Sequence, residues 1–262
     1  MGFWDIFKNA IFNIIDWFYR LSGDWGIAII LITIVFRVLI LPITIGTTRS
    51  SLQMQKLQPR IKELQEKYAD DKVRLQEEQL KLYTEAKYNP LSGCLPMLLQ
   101  MPLFSSLFSV LKELSTRIVE AGHPQSVLPA NFYALVPDLS LSAKTVFSFT
   151  AEGAIQSIPY IVMLAIFSLS MLIPMLSNPQ MDSNGRFTAL FMSGMMLVMG
   201  WGTPAGVLLY WDVSAIIGQI QTAIIKWFSN RKDLQEESVI EIKPVKVDVE
   251  RRERKGRPRK SR

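Results

Sequence analysis

The sequence has one cysteine, one histidine and long stretches with almost no charge. A lone Cys94 forms no internal disulfide, and with a single His123 no metal site of the usual His/Cys type can be built. There is no HExxH, no GxSxG, no GxGxxG, no P-loop and no pair of intramembrane aspartates. Those absences argue against an enzyme and against nucleotide-driven work, and no cofactor is expected. Charged side chains are missing from residues 89–111 and 153–181, and residues 187–225 hold only Asp212. Uncharged apolar runs of about 18 or more residues read as membrane spans. A soluble enzyme, a disordered chain and a disulfide-rich secreted module are therefore excluded. The chain is 262 residues long, 49% hydrophobic and 20% charged, and what distinguishes it is how those charges are segregated.

Residues 1–22 read as an amphipathic helix in the membrane interface. Asp5, Asn9, Asn13, Asp16 and Arg20 make one polar stripe, and Phe3, Phe7, Ile11, Ile14 and Phe18 the opposite one. A signal peptide would need an unbroken apolar run and a small-residue cleavage site, and neither is present. A first span is expected over 24–46; Arg37 lies about 18 Å from Trp25 and about 18 Å from Arg49, the next charge, close to mid-bilayer. Residues 47–88 read as a solvent-exposed helical hairpin with arms of about 20 and 15 residues. Its seam is Met54, Leu57, Ile61, Leu64 and Tyr68, spaced as a heptad. Ala69-Asp70-Asp71 supplies the turn and a helix cap, and Glu63–Lys67, Asp70–Arg74, Glu77–Lys81 and Lys81–Glu85 are expected ion pairs.

Further spans are expected over 90–112, 153–176, 187–201 and 203–228. A mixed polar loop fills 113–152, with His123 as an ordinary loop residue, and a turn fills 177–186. The apolar stretch 187–225 is too long for one span, and Gly200-Trp201-Gly202-Thr203-Pro204-Ala205-Gly206 is its break. That leaves a fourth span of only about 14 apolar residues, which requires a locally thinned bilayer or shielding by neighbours. Residues 229–262 form a polar tail whose last 12 residues carry eight Lys/Arg and one acid. Leu91-Ser92-Gly93-Cys94 has the form of a lipidation box but is internal, so that reading is rejected. The 12 methionines are core or lipid contacts, or an adaptable surface for apolar clients.

With five spans and a cytoplasmic C-terminus, 23 basic residues face the cytosol and five face outward, in agreement with the positive-inside rule. The N-terminal helix then lies outside. Arg37 is the informative residue. A mid-membrane Arg costs about 2.5–3.5 kcal/mol on insertion scales, so something must offset it. One reading is an ion pair with Asp212, which lies about 12 Å from the outer end. The other is a hydrated groove in which Arg37 attracts acidic groups of a passing substrate. Gln100, Ser214 and Gln219 are polar groups inside the spans that join it as candidate groove residues with Asp212; singly, such groups are more often interhelical hydrogen bonds.

Four stretches carry a family resemblance. They are Phe36-Arg37-Val38-Leu39-Ile40-Leu41-Pro42, then Met54-Gln55-Lys56-Leu57-Gln58-Pro59 in the hairpin, then Asn89-Pro90-Leu91-Ser92-Gly93-Cys94-Leu95-Pro96 with Gln100-Met101-Pro102-Leu103-Phe104, and finally Pro204-Ala205-Gly206-Val207-Leu208-Leu209-Tyr210-Trp211. From about residue 3 to 228 the chain resembles the YidC/Oxa/Alb family of membrane protein insertases, bacterial YidC type. Asp212 stands where that family often has Asn. Many members carry a lipoprotein signal or a large periplasmic domain before the first helix, and this sequence shows neither.

The resemblance implies an all-α polytopic membrane protein, with five transmembrane helices around a hydrophilic groove that opens to cytosol and lipid. It implies a bacterial plasma membrane location, nascent membrane-protein clients received at Arg37, and a hairpin that recruits them. The ribosome, through ribosomal RNA and the basic tail, and the Sec translocon are candidate partners beside the lipid bilayer. Insertion would be driven by client partitioning, at a fraction of a kcal/mol per Leu or Ile. The rival function is a small-ion or anion transporter built on Arg37 and Asp212; it lacks inverted repeats.

Overall fold

The computed structural model describes residues 2–86, 88–89, 95–133, 135–176 and 183–236. Within them the chain forms ten α-helices: α1 Phe3–Ser22, α2 Trp25–Leu39, α3 Leu41–Lys67, α4 Lys72–Glu85, α5 Leu95–Lys112, α6 Leu114–Glu120, α7 Ala143–Val146, α8 Ala151–Leu176, α9 Ser183–Trp201 and α10 Ala205–Glu236. The only β pairing among the described residues is two isolated bridges, Phe132 with Val136 and Ser142 with Pro204. The architecture is the expected helical one. Among the described residues, α8 and the Ala205–Ser229 part of α10 are each long and apolar enough to cross a membrane, and α2 with α3 makes a third if the bent pair is one span. The second span's opening at 90–94, the turn at 177–182 and the tail from 237 lie outside the described residues.

The core packs α10 against α2 and α8, with α1 and α5 alongside. Apolar attraction gives little net drive between helices in lipid, so close packing and interhelical hydrogen bonds carry the contact. Gly200 lets α9 approach α8, since a Cβ there would fall 2.4 Å from Leu164 Cδ1. At Gly26 a Cβ would fall 2.2 Å from Phe132 Cδ2, so the glycine is what lets the segment around Phe132 lie against α2. Ser168 and Ser193, both buried, join α8 to α9 through hydroxyls 2.7 Å apart.

Several expectations need correction. The first span and the hairpin are not separate modules. The chain bends by 64° at Ile40, and α3 then runs unbroken through the membrane-proximal stretch and the whole first arm to Lys67. Pro42 sits at the second position of α3, where its missing N–H costs nothing, so the bend falls just before it. The fourth helix has 19 residues, about 28 Å, because the polar segment from Ser183 joins it. The added residues, Ser183 to Arg186, are polar, so the apolar part stays as short as expected, about 14 residues. The last helix runs to Glu236, and its apolar part, Ala205–Ser229, matches the span expected over 203–228. In the hairpin the turn is as expected, with Asp71 capping α4 by accepting from the Arg74 amide. Its ion pairs include Glu78–Lys81 at 2.7 Å and Asp71–Arg74 at 3.8 Å, at i,i+3 spacing rather than the i,i+4 pairs expected for these two cations.

The largest correction is residues 113–152, a packed cap rather than a polar loop. Leu114, Ile118, Val136 and Leu139 are buried in the main core. The cap's backbone also serves α10. The amides of Ala205 and Gly206, left unpaired at a helix start, donate to the carbonyls of Leu141 and Leu139 at 2.7 and 2.8 Å. His123 is not an ordinary loop residue. Its Nε2 lies 2.5 Å from Asp16 Oδ1, and its ring packs edge-on against Tyr19 and Trp25, themselves stacked at 4.0 Å. Arg117 Nη1 likewise donates to Asn9 Oδ1 at 3.0 Å. Part of the polar stripe of α1 thus faces the cap, while Phe3, Ile6, Trp17 and Leu21 are exposed.

Candidate functional site: a polar groove between three helices

Arg37 is near the C-terminal end of α2 and points at α10. Its Nε donates to Ser214 Oγ at 2.8 Å, and Ser214 is fully buried. Its main-chain carbonyl, close to the bend at Ile40, accepts from Gln221 Nε2 at 3.2 Å. Gly218 makes room for the guanidinium, since a Cβ there would sit 3.0 Å from Nη1. One turn back from Ser214, the buried Tyr210 hydroxyl is hydrogen-bonded by Gln100 of α5. Tyr210, Ser214, Gly218 and Gln221 recur at steps of four, four and three, so they form one stripe of α10 facing α2 and α5.

Among the described residues, the Arg37 bonds use Nε alone, and neither Nη1 nor Nη2 has a partner. Arg37 is only partly buried. A guanidinium offers five donors in a fixed plane, and here Ser214 orients that plane while the outer edge stays available. The site can therefore accept a carboxylate or a run of backbone carbonyls without first breaking an ion pair.

Of the five groove residues expected from sequence, the structure joins three: Arg37, Gln100 and Ser214. Asp212 and Gln219 go elsewhere. Asp212 is two positions from Tyr210 and from Ser214, about 200° around α10, and forms no ion pair with Arg37. It is 5% exposed, and its Oδ1 has no partner among the described residues. Gln219, seven residues on and on the same face, donates from Nε2 to the Ser170 carbonyl of α8 at 3.0 Å. The Arg37–Asp212 ion pair is thus overturned by helical phase. Tyr210, Gly218 and Gln221 were missed as groove residues, although the helical spacing of Tyr210, Ser214 and Gln221 was there to be read.

The hairpin seam is turned inward. Ile61 is buried, and Met54, Leu57, Leu64 and Tyr68 are half-buried. Leu64 faces Leu82 of α4 across a cleft that Arg60, Glu63, Lys67, Glu78, Lys81 and Glu85 also line.

A helical membrane protein with a half-buried arginine held among polar side chains of its helices is the class that this fold and site define. A family model described as 60Kd inner membrane protein matches residues 17–232, and the chain belongs to that family. The membrane protein insertase YidC of Endomicrobium trichonymphae is 31% identical over 232 residues, covering 88% of this chain and 41% of that protein. The membrane protein insertase YidC of Francisella tularensis subsp. novicida is 34% identical over 225 residues, 86% of this chain and 36% of that protein. A crystal structure of an active YidC insertase with its first transmembrane domain resolved superposes with a TM-score of 0.63 at 28% identity, over 86% of this chain and 46% of that one. The chain spans less than half the length of these relatives.

Proposed function

We propose that this chain is a membrane protein insertase that works without covalent catalysis or a cofactor. The observation that carries the reading is the Arg37 guanidinium between α2, α5 and α10, oriented by Ser214 and with two nitrogens that have no hydrogen-bond partner among the described residues. The relatives named above carry the same activity in their names.

In this reading the packed cap closes the outer end of the groove and a client enters from the cytoplasmic end. An acidic or polar segment of the client docks on Arg37, and Gln100, Tyr210 and Ser214 offer hydroxyl and amide groups to its backbone. Its apolar segment then leaves between helices into lipid, driven by partitioning. Five spans, an outer N-terminus and a cytoplasmic C-terminus suit the charge bias of the sequence. The hairpin recruits clients, with its seam exposed only when α4 moves off α3. The basic tail contacts the ribosome, and the Sec translocon is a partner for larger clients. A transporter path through Arg37 and Asp212 has no support, because the two residues do not meet.

The test is protease-protected insertion of a short single-span client into liposomes holding only this chain. The parent should exceed empty liposomes, and Arg37→Ala should fall toward them for clients with acidic tails. Equal insertion by parent, Arg37→Ala and Arg37→Glu would refute the role of the charge.

A further inference from the structure

Beyond the bond from Gln221 to the Arg37 carbonyl, an open pocket of about 350 Å³ lies between α3 and α10. That is near the lower end of the range for small-ligand sites, about 300–1,000 Å³. Its walls are Thr47, Thr48, Ser51 and Met54 from α3, Thr222 and Lys226 from α10, and Tyr88. It is lined by hydroxyls and one ammonium, with no carboxylate. Thr47 is committed, donating to the Thr44 carbonyl at 3.1 Å. The side chains of Thr48, Ser51, Thr222 and Lys226 make no hydrogen bond among the described residues. Thr48 as a residue is only 8% exposed, so its side chain is held in place at the pocket wall.

We infer that this pocket is a binding site for one monoanionic phosphate group, supplied by a membrane phospholipid. Each free hydroxyl can turn its hydrogen toward a phosphate oxygen, no carboxylate opposes the anion, and the single ammonium matches a single negative charge. The depth fits a headgroup. Trp227 and Phe228, exposed aromatics next to Lys226, mark the level at which aromatic side chains meet lipid headgroups. The site holds whether or not the groove receives a client, because it rests on pocket chemistry alone.

The experiment is native mass spectrometry of the full chain released from micelles doped with phosphatidylglycerol, with diacylglycerol as the phosphate-free lipid. The expected result is retention of phosphatidylglycerol but not diacylglycerol. Lys226→Gln should weaken that retention about fivefold, and Lys226→Arg should restore it. Thr222→Val should weaken it without removing the charge. Inorganic phosphate as competitor identifies the source: failure to displace the lipid supports a lipid site, and displacement supports the phosphate site with a soluble ligand. Equal retention of both lipids, or no change in folded Lys226→Gln, would overturn the inference. So would a short acidic peptide that binds where no phosphate does.

Discussion

Asp24 holds two parts of the molecule at once, and that makes a double-edged prediction. It is 5% exposed and caps α2, with Oδ1 accepting from the Ile27 amide at 2.9 Å. Its Oδ2 accepts from the Tyr133 amide in the cap at 2.6 Å, and Tyr133 is held at φ 45, unusual for a side chain of that size. Asp24→Ala loses the helix cap, about 1 kcal/mol, and leaves the Tyr133 amide without its acceptor, about 1–3 kcal/mol more. The sum is about 2–4 kcal/mol. Asp24→Asn can keep the cap through its carbonyl oxygen, but its amide then confronts the Tyr133 N–H, so it should lose only the second part. Reversible unfolding in mixed micelles, followed by tryptophan fluorescence, gives the two differences. Amide exchange at Tyr133 localises them, and should speed up in both variants. A loss below about 0.5 kcal/mol for Asp24→Ala, or an Asn variant as unstable as the Ala variant, would refute the two-part accounting.

Gly218→Val should displace the Arg37 guanidinium from Ser214 and reduce liposome insertion of acidic-tailed clients, with micelle unfolding moved by less than about 1 kcal/mol because a flexible side chain can give way. A double-mutant cycle between Ser168→Ala and Ser193→Ala should show a coupling of about 0.6 kcal/mol, the usual size for a hydrogen bond between membrane helices; zero coupling would mean that packing alone joins α8 to α9. The Lys81 hydrogen bond holds the Glu78 carboxyl below its usual value, and Glu78 in turn raises Lys81. A depressed carboxylate contributes above its unfolded value and loses that contribution as pH falls. Amide protection along α4 should therefore drop as pH falls below the ordinary glutamate value of 4.5, and Glu78→Gln should abolish that dependence.

Periodicity and charge made most of the helices legible, because apolar runs and breaker residues act locally. The breaks at Tyr68–Asp71 and before α10 fall where glycine, proline and aspartate stand. Arg37 was legible as a mid-span charge, and so was the family, through motifs around Arg37, Pro102 and Tyr210. The outer cap was not, since its fold depends on distant pairings such as Asp24 with Tyr133 and Leu139 with Gly206. His123 gave no signal either, because its partner Asp16 lies 107 residues away. Asp212 misled through depth alone. Axial distance put it near Arg37, and angular position on α10 took it away.

The unbroken run of α3 makes the hairpin a lever. Its 27 residues reach about 40 Å from the bend at Ile40 to the tip at Lys67. A swing of about 10° at that bend would carry the tip about 7 Å, at a helix rise of about 1.5 Å per residue. The fulcrum lies three residues from Arg37, whose carbonyl is already held by Gln221. A load taken up at the tip would be delivered three residues from Arg37, which makes the angle of the hairpin the coordinate to follow when a client is present.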